Sequence, residues 1–332
     1  MMKDRRRTPP GSPRRPPLVS VVIPTLNEEL NLPHVFGALP VGLHEVVLVD
    51  GGSVDRTVEV ARQLRPDVVV VQQTRTGKGN ALASGFAACT GDAIVMIDAD
   101  GSTDPAEINR FVETLIHGAE FAKGSRFGQG GHSNDITPLR RVGNEGLNLV
   151  VNTLFGTKFT DLCYGYNAFW RRVVPVMDLP PIELPRSPSG RKLWGDGFEI
   201  ETLINIRVAS SGMRVKEVSS IEHLRIHGTS NLNTFRDGAR VLRTIVSEFR
   251  RRSAQRRAEA KAAAPARTAP TPSKVVPVLA VPGGSWYGTV DALLTAEWHT
   301  PPATSADTLL SRPVRGANTQ VQSPVYPSEA RG

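Results

Sequence analysis

Asp98-Ala99-Asp100 stands at the end of the apolar run AIVMID, residues 93–98. Two carboxylates one residue apart at a strand end can both face one divalent cation. Hard oxygen ligands suit Mg²⁺ or Mn²⁺, and such an ion in turn holds a diphosphate. A solvated loop that caps the following helix is the plainer alternative. Asp104, with Pro105 behind it, is the better placed residue for that cap. The seven histidines show no metal-ligand spacing: His223 and His227 are four apart, without a third ligand. Cys89 and Cys163 are the two cysteines, too few for a disulfide framework or a Cys-based zinc site, and they fit a reduced, cytosolic setting.

Strands are expected at 18–24 (LVSVVIP), 45–50 (EVVLVD), 68–72, 93–98 and 120–124. Helices are expected between them, opening at Asn27-Glu28-Glu29 and ending near Leu39-Pro40, then over 55–64, 79–88 and 104–117. Short continuous apolar strands alternating with helices indicate an α/β fold with a parallel sheet covered on both faces. Ligands on such sheets bind at the C-terminal strand ends, where Asp50, Asp98 and Asp100 all fall. From residue 138 the pattern changes. Helices are expected at 138–155 and 197–211, a strand at 215–219, and a mixed stretch at 166–177. A long helix is expected from 233 to about 257, on the apolar positions Phe235, Ala239, Leu242, Ile245, Val246 and Phe249. The run 180–192 reads as a mobile loop.

The formal charge is +8 over 332 residues, and its placement matters more than its size. Residues 1–17 carry six Lys or Arg against Asp4, and residues 250–267 carry seven against Glu259. The stretch 18–249 is left slightly acidic, which argues against a nucleic-acid-binding core. The expected organisation is a disordered basic arm over 1–17, a folded domain over 18–257, and a mostly disordered Pro/Ala-rich tail over 258–332. No apolar run approaches the roughly 18–20 residues needed to cross a bilayer. The basic N-terminus lacks the apolar segment of a secretory signal. The expected location is cytoplasmic, with peripheral contact on the inner face of the membrane left open.

Four motifs stand in register over about 18–126: VSVVIPTLNE (19–28), VDGGSVDRT (49–57), GKGNAL (77–82) and Asp98-Ala99-Asp100. Together they closely resemble the N-terminal half of family-2 glycosyltransferases of the GT-A fold, a Rossmann-like, mainly parallel mixed sheet flanked by helices. The resemblance divides the domain into a nucleotide-binding half, 18–126, and an acceptor half with a C-terminal helix, 127–257. It implies that Pro24, Thr25, Asn27, Glu28 and Asp50 surround the nucleotide base and ribose. It places Lys78, between two glycines that permit close approach of backbone to ligand, near the nucleotide or its diphosphate. Asp100 becomes the direct metal ligand, with Asp98 on ribose or metal. Ser53 and Asp55 are as readily turn and cap residues as ligand contacts.

The second half resembles polyprenyl-phosphate mannosyl- and glucosyltransferases. Gly124-Ser125-Arg126 follows the fifth strand. DLCYGYNAF (161–169) is similar to that family's acceptor-side segment, and Gly197-Phe198-Glu199-Ile200-Glu201 to its "Gly, aromatic, Glu, x, Glu" helix start. Arg225, Gly228 and Ser230 resemble an element that closes over phosphates. An arginine forks onto phosphate oxygens with good geometry, so Arg126 and Arg225 are phosphate-binding candidates, with a surface or ion-pair role as the alternative.

The expected reaction is inverting transfer from a GDP- or UDP-sugar, of the GDP-mannose or UDP-glucose type, with Mg²⁺ or Mn²⁺ and cationic side chains stabilising the departing nucleoside diphosphate. A polyprenyl phosphate acceptor is already ionised. A hydroxyl of a small metabolite, natural product or glycan needs a general base, for which Asp196 and Glu199 are the candidates. A non-catalytic binding protein is the remote alternative. No nucleic-acid partner is expected.

Overall fold

The computed structural model describes residues 15–188, 192–229 and 234–263. Strands β1 (Val19–Thr25), β2 (Glu45–Asp50), β3 (Val69–Gln72) and β4 (Ala93–Met96) are parallel neighbours in the order β3-β2-β1-β4. The sheet continues through β7 (Asn167–Trp170), β5 (Phe121–Ser125) and β8 (Val215–Ser219) to seven strands. β7 runs antiparallel to both β4 and β5, which makes the sheet mixed, while β5 and β8 are parallel. A small second sheet pairs β6 (His132–Ser133) with β9 (Ile221–Glu222).

Alternation along the strands explains the two core layers. Val21 and Ile23 face one side, with Val95, Phe111 and Tyr166. Val22 faces the other, with Val47, Leu82, Phe86, Phe169, Ile200 and Leu203. The first layer is closed by α4 (Ile108–Ile116). The second is closed by α3 (Lys78–Ala88) and α7 (Ile200–Ser210), a helix buried nearly all round. A third cluster joins α5 (Pro138–Phe155), α7 and α8 (Thr234–Ala263) through Val151, Phe155, Ile206, Val241 and Ile245. The remaining helices are α1 (Leu32–Gly37), α2 (Thr57–Leu64) and α6 (Val174–Met177). The chain steps outward from β1 to β2 and β3, then returns to β4 on the other side of β1. A crevice opens where strand order reverses, at the C-terminal ends of β1 and β4.

Several boundaries differ from the sequence expectation. α1 begins at Leu32 rather than at Asn27, because the intervening residues clamp the next turn. Asn27 adopts φ +58° and its Oδ1 accepts from Val54 N, while Glu28 N and Glu29 N donate to Thr57 and Asp55. The helix expected over 104–117 is a 3₁₀ turn, Pro105–Glu107, followed by α4, with Asp104 accepting from Ala106 N as its cap. α8 runs to Ala263, beyond the domain limit expected at 257. Its expected apolar face also divides. Ile245 is buried with Val241, whereas Phe235, Leu242, Val246 and Phe249 are exposed. The loop expected to be mobile is tied down in part, since Arg75 donates to the carbonyls of Pro181 and Leu184. Residues 1–14 of the basic arm, the tail beyond 263 and Ser230 lie outside the described residues.

Candidate active site

A cavity of about 560 Å³ opens at the reversal point. Pro24, Thr25, Glu28, Lys78, Asp98, Asp100, Arg126 and Arg225 all line it. Eight of the positions singled out in the sequence are therefore brought together.

One end of the cavity is rich in acid. Asp100 accepts from Ser102 N at 2.9 Å and Ser102 Oγ at 2.6 Å, and its Oδ2 is 2.5 Å from Arg225 Nη2. Arg225 Nη1 lies 3.8 Å from Glu28 Oε1. Lys78 opens α3, and its Nζ bridges Asp98 Oδ1 at 2.6 Å and Glu201 Oε1 at 2.7 Å. Burial opposes charge on Lys78, but the two carboxylates outweigh it and raise its pKa. Burial raises Glu201, reinforced by Asp98 and opposed by Lys78. Burial likewise raises Glu28. The hydrogen bond from Asn31 and the charge of Arg225 oppose that shift, and Asp100 and Asp98 add to it. Four carboxylates thus face two cations within electrostatic reach of one another.

Among the described residues no three His, Cys, Asp or Glu side chains form a ready metal-binding set. The hard oxygens of Asp98 and Asp100, in a region with excess negative charge, nonetheless fit a divalent ion that completes its shell with water and phosphate oxygens. Both carboxylates now hold cationic side chains where such an ion would bring its charge.

Asp50 and Asn27 stand behind the cavity and do not line it. Asp50 accepts from Gly52 N at 3.1 Å, Ser53 N at 3.2 Å and Gln72 Nε2 at 2.9 Å. Burial would raise its pKa, but these hydrogen bonds hold it below the usual range. Ser53 and Asp55 organise the turn: Ser53 Oγ accepts from Asn27 N, and Asp55 accepts from Thr57 and Glu29. The glycines beside Lys78 also permit a close approach within the protein. A Cβ on Gly77 or Gly79 would stand 2.0 Å from Asp196 O or 1.8 Å from Gly195 O, and Gly77 lines the cavity as well.

The other end is built from α5, α7 and α8. Arg126 is taken up by protein. Its Nε and Nη2 donate to Asp161 at 2.7 and 3.0 Å, and its Nη1 donates to Glu222 at 3.0 Å. Its guanidinium also lies 4.8 Å from the centroid of the Tyr164 ring. The two carboxylates offered as general bases do not line the cavity. Asp196 is bidentate to Arg75, at 2.8 and 2.9 Å, and both side chains are buried. Glu199 accepts from Gly195 N and Gly197 N and shapes the turn before α7.

Sequence reasoning missed Asn144. It lines the cavity from α5, is 5% exposed, and neither Nδ2 nor Oδ1 has a hydrogen-bond partner. An unpaired buried amide is costly, which makes it a natural ligand contact. Arg140, Leu147, Cys163, Thr202 and Val241 share this end with it. The available signal was the 140, 144, 148 spacing of polar residues on one face of a core helix. Glu201 was visible within the motif at 197–201, but its ion pair with Lys78 was not.

The Glycosyl transferase family 2 profile matches residues 20–175. Glycosyltransferase AglJ of Haloferax volcanii is 30% identical over 226 residues, 67% of this chain and 69% of that protein. The dolichol-phosphate mannosyltransferase of Pyrococcus furiosus is 31% identical over 64% of this chain and 59% of its own length. The polyprenol monophosphomannose synthase of Mycolicibacterium smegmatis is 33% identical over 60% of this chain and 74% of its own. In fold, the chain is similar to glucosyl-3-phosphoglycerate synthase of Mycobacterium tuberculosis, with a TM-score of 0.52 and 22% identity over 70% of this chain and 79% of that one. The strand order, the Asp-x-Asp at the reversal point and these relatives agree, and the chain belongs to glycosyltransferase family 2.

Proposed function

We propose that the protein transfers a sugar, with inversion, from a GDP- or UDP-sugar to a polyprenyl phosphate, using Mg²⁺ or Mn²⁺. The observation that carries this reading is the continuity of one cavity from the acid-rich end to an amphiphilic end. The first suits a metal-bound diphosphate. The second offers Asn144 and Arg140 beside Leu147, Cys163 and Val241, a polar contact followed by apolar wall. The relatives named for dolichol-phosphate and polyprenol phosphomannose chemistry support a lipid phosphate acceptor. So does the engagement of Asp196 and Glu199 by protein groups, since an ionised phosphate needs no base to attack.

In this reading Asp98 and Asp100 would hold the metal, which when bound would supply positive charge against the leaving diphosphate. Arg225 transfers part of its pairing from Asp100 to phosphate oxygens, and Lys78 keeps Asp98 in place. Arg126 holds the acceptor-side frame through Asp161 and Glu222. Pro24, Thr25 and Glu28 contact the nucleotide. Asp50 and Asn27 hold the turns that carry those contacts.

Among the described residues no helix is long and apolar enough to cross a membrane. We place the protein on the cytoplasmic face as a peripheral enzyme. The exposed Phe235, Leu242, Val246 and Phe249 on α8, among Arg240, Arg243 and Arg250, suit an anionic lipid surface.

The test is nucleoside diphosphate release with Mg²⁺ or Mn²⁺ and a panel of GDP- and UDP-sugars, in the presence of polyprenyl phosphate or of phosphoglyceric acid. The second compound is bound in a structure of the M. tuberculosis synthase together with Mn²⁺ and UDP-glucose. Release that depends on polyprenyl phosphate supports the reading. Release that depends on phosphoglyceric acid and ignores the lipid overturns it.

A further inference from the structure

Residues 222–228 cross the end of β4 as a strap that carries Arg225. Glu222 forms a bridge with Thr103, His223 N donates to Ser102 O at 2.8 Å, and Ile226 N donates to Asp100 O at 3.2 Å. Ile226 fills the space over Gly101, where an added Cβ would stand 2.5 Å from Ile226 Cδ1. At the far end of the strap the His34 and His227 rings stand 5.9 Å apart, and among the described residues one side chain is hydrogen-bonded to the backbone of His227.

That side chain is Asn31, which is 2% exposed. His227 N donates to its Oδ1 at 3.0 Å, and its Nδ2 donates to His227 O at 3.2 Å. The amide therefore pairs with both the backbone N–H and the backbone C=O of one residue. The same Nδ2 donates to Glu28 Oε2 at 2.5 Å, while the other oxygen of Glu28 is the one that faces Arg225. Asn31 stands at the N-cap position of α1, where asparagine ordinarily accepts from the helix's own N–H groups, yet it makes no side-chain cap bond. Its amide is spent on the strap instead. No other side-chain type of this length both donates and accepts in this way.

We propose that Asn31 is a positioning residue that holds Arg225 over Asp100, so that diphosphate binding depends on Asn31 through Arg225. This rests on the reading that the acid-rich end receives a metal-bound diphosphate. The clamp links the turn after β1 to a strap nearly two hundred residues later. One amide thereby sets Glu28 and Arg225, the two groups that flank Asp100.

The test titrates pyrophosphate in the presence of Mn²⁺ by calorimetry, using the full chain. The variants are Asn31→Ala, Asn31→Asp, Arg225→Ala and the double variant Asn31→Ala/Arg225→Ala. Asn31→Ala is expected to weaken binding about tenfold, the scale of one or two lost hydrogen bonds, and Arg225→Ala at least as much. The double variant is expected to bind no more weakly than Arg225→Ala alone, because Asn31 acts through the arginine. Asn31→Asp keeps the size and the acceptor but loses the donor, so it should weaken binding too, and it carries the test if Asn31→Ala does not fold. Wild-type affinity in both Asn31 variants, or additive losses in the double variant, overturns the inference. If the wild type itself does not bind pyrophosphate with Mn²⁺, the diphosphate reading of the site falls along with it.

Discussion

Asp100, which lines the cavity, and Asp161, which is fully buried and does not, each meet an arginine. Asp100 gives one oxygen to Arg225, whose side chain is 23% exposed, and the other to Ser102. Asp161 gives both oxygens to Arg126, in a pair whose side chains are 10% and 0% exposed. The first pair is the more open, although Asp100 itself is only 11% exposed, and in the proposed reading it exchanges partners when a metal or phosphate arrives. The second is dry and bidentate, and breaking it leaves the buried Arg126 with Glu222 as its remaining carboxylate partner. Chemically similar pairs therefore serve different ends. In the proposed reading the Asp100–Arg225 pair at the strand ends is traded for ligand, and the Arg126–Asp161 pair holds the frame.

The sharpest way to break this comparison is Asp161→Ala. Removing Asp161 leaves buried Arg126 with Glu222 alone and is expected to cost about 3 kcal/mol of folding stability, the low end for breaking a buried pair, measured by urea denaturation. A loss below about 1 kcal/mol, the range of exposed pairs, would mean the pair is not framework. Acid gives a second handle. Burial pushes the Asp161 carboxyl up, but Arg126 and Lys123 outweigh it and hold it low. A carboxylate with a depressed folded-state pKa contributes stability above its unfolded pKa and loses it as pH falls through the folded one. Asp161→Asn should therefore show a shallower loss of stability than wild type on acidification below the ordinary carboxylate range.

Asp100→Asn is expected to do the reverse. Transfer should fall about 10²–10³-fold, a barrier increase of roughly 3–4 kcal/mol, while the melting temperature stays close to wild type. Turnover that survives in this variant would remove Asp100 from the reaction. A collapse of stability would place it in the frame with Asp161.

The same contrast decides what could be read from sequence. β1, β2 and β4 are continuous apolar runs, so Asp50, Asp98 and Asp100 could be placed at strand ends before any fold was seen, while Pro24, Thr25 and Lys78 followed from the family resemblance. Other parts of the site are held by pairs far apart in the chain. Nothing local to Arg126 reveals that Asp161 and Glu222 consume its donors, and nothing local to Asp196 reveals Arg75. α8 misled for a related reason. Its buried face mixes Asp237, Thr244 and Glu248 with Val241 and Ile245, and the Glu248 carboxylate is paired with Arg207. A hydrophobicity pattern cannot show a buried face that is half polar, and it pointed instead to residues that remain exposed.

Glycines give the smallest and most direct test of how α3 meets the turn before α7. Gly79 lies in the first turn of α3, and a Cβ there would stand 1.8 Å from the carbonyl oxygen of Gly195. The obstruction is backbone, so the turn before α7 must move. Asp196 N, Gly79 N and the Arg75 pair hold that turn from several sides, through Leu193 O, Asp196 O and the Asp196 carboxylate. Gly79→Ala is therefore expected to cost about 1–3 kcal/mol, the usual range for overpacking, and to displace Glu201 and Lys78 with it. Gly146 is the control. It lies on the exposed side of α5, and a Cβ there meets nothing within 4 Å. Gly146→Ala reduces only the freedom of the unfolded chain and should stabilise by about 0.4–1 kcal/mol. Opposite signs in the two melting curves would show that close backbone approach at Gly79 joins α3 to the turn before α7. Equal, small gains at both positions would show that the turn at 195–197 yields easily, and the division into exchangeable and framework contacts would then have to be drawn elsewhere.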